Sequence, residues 1–157
     1  MITPRKKKGL LATVAVLAVA GAAVAYWSGA GSGSGTGGTA SSTSGLVANQ
    51  TTVLAPMYPG DSAQTLSGNF DNPNEGPIYV STVTASIASV TKAAGAPAGT
   101  CDASDFTLAN ATMAVNAQVP AGTGQGAWSG ATIKFNNKGT NQDACKGATV
   151  NLSYAIA

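Results

Sequence analysis

The chain has 157 residues, and only 9% of them are charged, against roughly 25% in an average soluble protein. The net charge of +2 hides an asymmetry: four of the eight basic residues are Arg5, Lys6, Lys7 and Lys8, and beyond them four lysines face six acids, a balance of −2 that argues against nucleic-acid binding, which needs a basic patch. Histidine is absent, which removes the commonest general base and the commonest metal ligand.

Residues 1–8 form a basic n-region, and RKKK followed by an uncharged run is the pattern of membrane insertion with the cluster held on the cytoplasmic side. Residues 9–28 read as one hydrophobic signal or anchor helix. The 19 residues from Gly9 to Trp27 would extend about 30 Å, enough to cross a bilayer core. Two readings of this segment stay open. Ala23-Val24-Ala25 fits the small-residue end of a cleaved signal peptide. Tyr26 and Trp27 fit the interfacial aromatics at the outer end of a retained anchor. Residues 29–45, rich in Gly and Ser, read as a flexible linker, and a tether favours retention because it needs something to hang from. The expected location is extracytoplasmic, either anchored to a bacterial cell membrane with the N-terminus inside or secreted.

Residues 46–157 read as one β domain. LVANQTTVLA is a first strand, and AQTLSGNF a second with Leu66, Gly68 and Phe70 on one face. IYVSTVTASIASV is long, and its parity switches between Ile78/Val80 and Val83/Ile87, which predicts a bulge. TMAVNAQV turns Met113, Val115, Ala117 and Val119 inward, and ATIKFN does the same with Ala131, Ile133 and Phe135. TVNLSYAIA alternates Val150, Leu152, Tyr154 and Ile156 with small or polar residues. YPGD, DNPNEGP, AAGAPAGT, PAGTGQG and NNKGTNQD read as the turns between strands. Six to eight short strands so punctuated predict an all-β fold, an antiparallel immunoglobulin-like β-sandwich.

Few side chains invite chemistry. DNPNEG (Asp71–Gly76) has the acids of a calcium loop, but Pro73 and Thr82 stand where an EF-hand needs ligands, so it reads as a tight connection. Asp102 and Asp105 read as turn caps rather than an acid–base pair. Trp128 reads as core. Export would place Cys101 and Cys145 in an oxidising compartment, where a disulfide between them is favoured. Their positions in two turns predict a bridge at one end of the sandwich. No catalytic residue, metal ligand or cofactor is expected.

AYWS, the Gly/Ser tract, YPGDSAQTLSGNFDNPNEGPIYV, GTCDASDF, GAWSGATIKFNN and NQDACKGATVNLSY together resemble a group of small exported actinobacterial proteins. These carry one immunoglobulin-like sandwich behind a signal or anchor segment. The resemblance implies an exported location, the sandwich fold and the Cys101–Cys145 bridge. A weaker likeness, of architecture alone, is to camelysin-like and biofilm-fibre proteins. The expected function is a non-enzymatic surface-tethered or secreted module, binding or structural. Its partners would be the membrane through the N-terminal helix if uncleaved, and a surface protein or glycan, with no nucleic acid. The alternatives are a filament or matrix subunit joined through sheet edges, and an enzyme. A deep pocket with two or more polar side chains would raise the enzyme reading.

Overall fold

The computed structural model describes residues 45–157, together with Ser34, Thr36 and Gly37. The chain divides into two compact units, Met1–Thr39 and Ala40–Ala157, and the second holds every described strand. The expected basic n-region, hydrophobic helix and most of the linker lie outside the described residues. Among those described, no helix is long and apolar enough to cross a membrane.

Seven strands follow in order: β1 (Val47–Gln50), β2 (Gln64–Asn72), β3 (Ile78–Thr91), β4 (Phe106–Ala109), β5 (Thr112–Val119), β6 (Gly122–Phe135) and β7 (Thr149–Ile156). All pairings are antiparallel. One sheet is ordered β1-β2-β6-β4 and the other β5-β3-β7. The main core takes Leu66 and Phe70 from β2, Trp128, Ala131 and Ile133 from β6, Val80, Val83 and Ala85 from β3, and Met113 and Val119 from β5. It is built from both sheets, as in a sandwich. An immunoglobulin constant-type domain orders its strands ABED and CFG, which along the chain would read β1-β2-β5-β4 and β3-β6-β7. Here β6 replaces β5 in the larger sheet, and β3 takes the centre of the smaller one. The antiparallel two-sheet expectation therefore holds, and the immunoglobulin-like strand order does not. Alternation identifies strands but carries no information on which strand lies beside which.

Bulges account for the departures from simple alternation. Val80 and Val83 on β3 are both fully buried despite their odd spacing. Between them the N–H groups of Ser81 and Thr82 both donate to the main-chain oxygen of Ala157, at 2.7 and 3.0 Å, and the Ser81 hydroxyl donates to it at 2.7 Å. Opposite, β5 carries an extra residue where Val80 pairs with Ala117 and Thr82 with Ala114. Asn116 there has a φ of 48°, and Ala117 is exposed rather than inward as its spacing predicts. β6 carries an extra residue at each of three register shifts against β2. Gly124, Gly126 and Gly130, with φ of 66°, 61° and 125°, take the left-handed conformation those bulges need. The PAGTGQG stretch is thus mostly strand, and its turn shrinks to Pro120 and Ala121.

The first strand is shorter than its sequence predicts. After Gln50 the chain leaves the ladder, and the N–H groups of Thr51 and Thr52 share the carbonyl of Ser67, at 2.9 and 3.2 Å. The Gln64 side chain then stands in for a strand partner. It accepts from the N–H of Ala55 at 2.7 Å and donates to the Ala55 carbonyl at 3.0 Å.

A candidate ligand-binding pocket at the disulfide end

Cys101 and Cys145 form a disulfide, with their Cα atoms 5.1 Å apart and a sequence separation of 44. The bridge belongs to a second small core with Phe135 and Ala144, against which Met57, Val90, Phe106 and Ala148 pack. It ties together two single-turn 3-10 helices, Ala103–Asp105 and Asp143–Cys145. The first has a reciprocal cap: the Ser104 N–H donates to Asp102 Oδ1 at 2.8 Å, and the Asp102 N–H donates to Asp105 Oδ2 at 3.0 Å. Both aspartates are therefore turn caps, as their positions in CDASDF predict.

Asp105 does more than cap. Its Oδ1 lies 2.8 Å from Lys138 Nζ and also accepts from Gln142 Nε2 at 3.3 Å. Gln142 Oε1 in turn accepts from the Lys138 N–H at 2.9 Å. Lys138 Nζ also donates to Ser104 Oγ at 2.9 Å. The lysine holds the Asp105 carboxyl below the usual carboxylate range, against the opposing push of burial. The Lys146 ammonium, 2.7 Å from Asp143 Oδ1, lowers that carboxyl likewise. Hydrogen bonds from the Ser104 side chain and N–H lower Asp102.

One wall of the site comes from the segment between β1 and β2. Tyr58-Pro59-Gly60-Asp61 forms a turn in which the Tyr58 N–H donates to Asp61 Oδ2 at 2.9 Å and the Asp61 N–H donates to the Tyr58 carbonyl at 3.1 Å. The Gly60 N–H donates to the Phe135 carbonyl at 3.3 Å, which pins the turn to the end of β6. Between this turn and the loop after β6 lies a pocket of about 480 Å³, lined by Met57, Tyr58, Phe135, Asn137, Gln142 and Lys146 among others. That volume falls in the range of small-molecule sites. Tyr58 is 67% exposed.

Elsewhere the residues singled out by sequence have structural duties. Trp128 is buried and its indole N–H donates to the Asn69 carbonyl at 3.1 Å. In DNPNEG, Asn72 is buried, donating to the carbonyls of Gly76 at 3.0 Å and Val119 at 2.9 Å and accepting from the Asn74 N–H at 3.0 Å. Asp71 Oδ1 accepts from the Gly124 N–H at 2.8 Å. Among the described residues, one group of His, Cys, Asp or Glu is close enough to hold a metal: Cys101, Asp105 and Cys145. Its two sulfurs are bonded to each other, and both Asp105 oxygens are taken by protein donors. That donor set does not fit an ion. The sequence reading missed Tyr58, Asn137 and Gln142 as site residues, because YPGD and NNKGTNQD carry turn signals that mask any second role. Comparison with family models, with curated proteins and with solved structures returns no match.

Proposed function

We propose that this chain is a non-enzymatic extracytoplasmic binding module, held at a membrane by residues 9–28 or secreted, whose working surface is the pocket at the disulfide end. One observation carries the reading. The pocket presents an exposed aromatic side chain, carried on a turn whose main chain is pinned, beside polar groups, while the carboxylates around it are committed to cations or to backbone N–H groups. A pocket with several polar side chains is also what an enzyme would need. Catalysis by acid and base, however, calls for a group poised near neutral pH, whereas Asp102, Asp105 and Asp143 are all lowered. The disulfide supports an oxidising location. Protease added to intact, wall-stripped cells tests the location: the domain should be digested without lysis. A domain protected until lysis would overturn the export reading.

One observation favours assembly through sheet edges as a second reading. Among the described strands β7 pairs with β3 on one side only, and Thr149–Ile156 contains no charge, proline or glycine. Long edge strands are usually guarded by such residues. The other open edges are four residues long in β1 and β4, broken by Asn116 in β5, or broken by left-handed glycines where β6 runs past β4. All four residues of β1 pair with β2, so among the described residues the first strand is not left seeking a partner. Sedimentation of the wild type and of Ser153→Lys tests this: an edge-to-edge dimer should dissociate in the variant, and a monomeric wild type at high concentration would remove the reading.

A further inference from the structure

We infer that the pocket binds a neutral oligosaccharide, an inference that rests on the binding-module reading and gives its ligand a chemical class. Three features of the site select that class. The first is the aromatic wall. Tyr58 stands between Pro56 and Pro59, both of which also line the pocket, and the turn that carries it is fixed by hydrogen bonds to Asp61 and by Gly60 to Phe135. An exposed tyrosine ring offers an apolar face with a polar tip, which suits the C–H face of a pyranose ring. Because the turn is already set, little ordering is left to oppose binding.

The second feature is unused hydrogen-bonding capacity. Asn137, Thr140 and Tyr58 line the pocket, and among the described residues the side-chain amide of the first and the hydroxyls of the other two make no hydrogen bond. Gln142 spends its Oε1 on the Lys138 N–H and one amide proton on Asp105, which leaves a second proton. Amides and hydroxyls donate and accept at once, as the hydroxyl groups of a sugar do. The third feature is charge balance. Lys138 is paired with Asp105 at 2.8 Å and Lys146 with Asp143 at 2.7 Å. Among the described residues that line the pocket, each charged side chain, Lys138, Asp143 and Lys146, therefore already has an ion-pair partner, so none is left over for a phosphate, a carboxylate or an ammonium. Met57 and Phe135 add an apolar floor that a purely ionic ligand would leave wet.

The test is a titration of the isotope-labelled full chain in zwitterionic, sugar-free detergent micelles, followed by amide NMR. The neutral probes are chitotriose, cellotriose and maltotriose; the contrasts are a galacturonic acid trimer and a proline-rich peptide. At least one neutral trisaccharide should shift the amides of Tyr58, Asn137 and Thr140, with a Kd on the order of 1 mM or tighter. Tyr58→Ala and Asn137→Ala should each weaken it about tenfold or more. Both residues are exposed, so thermal unfolding of the two variants should match the parent. No shift with any neutral probe, or unchanged binding in Tyr58→Ala, overturns the inference. Shifts at the same residues with only the anionic trimer or the peptide also overturn it, yet leave the binding-module reading standing. That reading fails separately, if external protease cannot reach the domain.

Discussion

Gly68 on β2 is the seat on which the indole of Trp128 lies. The two are direct cross-strand partners, and a Cβ built on Gly68 would overlap Cζ2 and Cε2 of Trp128 as well as the main-chain oxygen of Asn49. The missing side chain lets β1, β2 and the tryptophan close together. Gly68→Ala should therefore destabilise the domain by about 1–3 kcal/mol through overpacking. Chemical denaturation of Gly68→Ala and of a surface Gly76→Ala control, which has open space around it, checks this. Equal midpoints in the two variants would contradict it.

Burial separates two leucines that look alike in sequence. Leu66 is completely buried, whereas Leu152 on the edge strand β7 is half-buried. Leu66→Ala should cost about 2–5 kcal/mol, and Leu152→Ala about 1–2 kcal/mol because part of its surface already meets water. Ser153→Ala, on the opposite face of β7, should stay within about 0.5 kcal/mol. Equilibrium unfolding of the three variants gives the order; Ser153→Ala outranking Leu152→Ala would mean that the faces of β7 are exchanged.

The disulfide joins positions with a sequence separation of 44 and closes a loop that contains β4, β5 and β6. On the chain-entropy account this restricts the unfolded chain by about 4 kcal/mol. A Cys101→Ser, Cys145→Ser double variant should keep its sheet content by circular dichroism and melt well below the parent. Alkylation before reduction should label neither cysteine. Labelling of both in native protein, or an unchanged melting temperature, would contradict the expectation.

Asp105 makes the fold acid-sensitive. Its folded pKa lies below the ordinary value of 3.8, chiefly through Lys138. A depressed carboxylate contributes stability that is present above the unfolded pKa and is lost as pH falls through the folded one. Stability should therefore fall below about pH 4, by on the order of 1 kcal/mol for this group, since Lys138 remains partly open to solvent. Asp105→Asn should be less stable at neutral pH, with a flatter profile in acid. Parallel profiles for variant and parent would show that the pair contributes nothing.

Asn72 is a buried polar bolt between the end of β2 and the end of β5. Replacing it with alanine leaves the Val119 carbonyl without its 2.9 Å donor. The expected loss is about 1–3 kcal/mol. Hydrogen exchange should show faster opening around residues 72–78 and near Val119, and exchange spread evenly over the domain would argue against a local role.

Strand alternation made most of the core legible in advance. Leu66, Gly68, Phe70, Ala131, Ile133 and Phe135 all lie inside, and the parity switch before Val83 is a real bulge. The disulfide was legible from the cysteines and their setting. Strand order was not, because it depends on contacts between segments far apart in sequence. Nor was the pocket, which forms only when the Tyr58 turn is pinned to the carbonyl of Phe135. The bulges of β6 were hidden for a different reason: glycine at alternate positions signals a turn and a bulged strand equally well.

Those β6 glycines also govern how the molecule meets its own copies. β4 covers only Thr132–Phe135, so among the described residues the preceding part of the 14-residue strand has one ladder side without a strand partner. A stack of identical chains requires uniformly extended backbone that repeats in register. Left-handed residues at Gly124, Gly126 and Gly130 break that uniformity every few positions. A domain with so little surface charge has few ionic means of keeping its neighbours apart, and here the backbone's own irregularity supplies some of that separation.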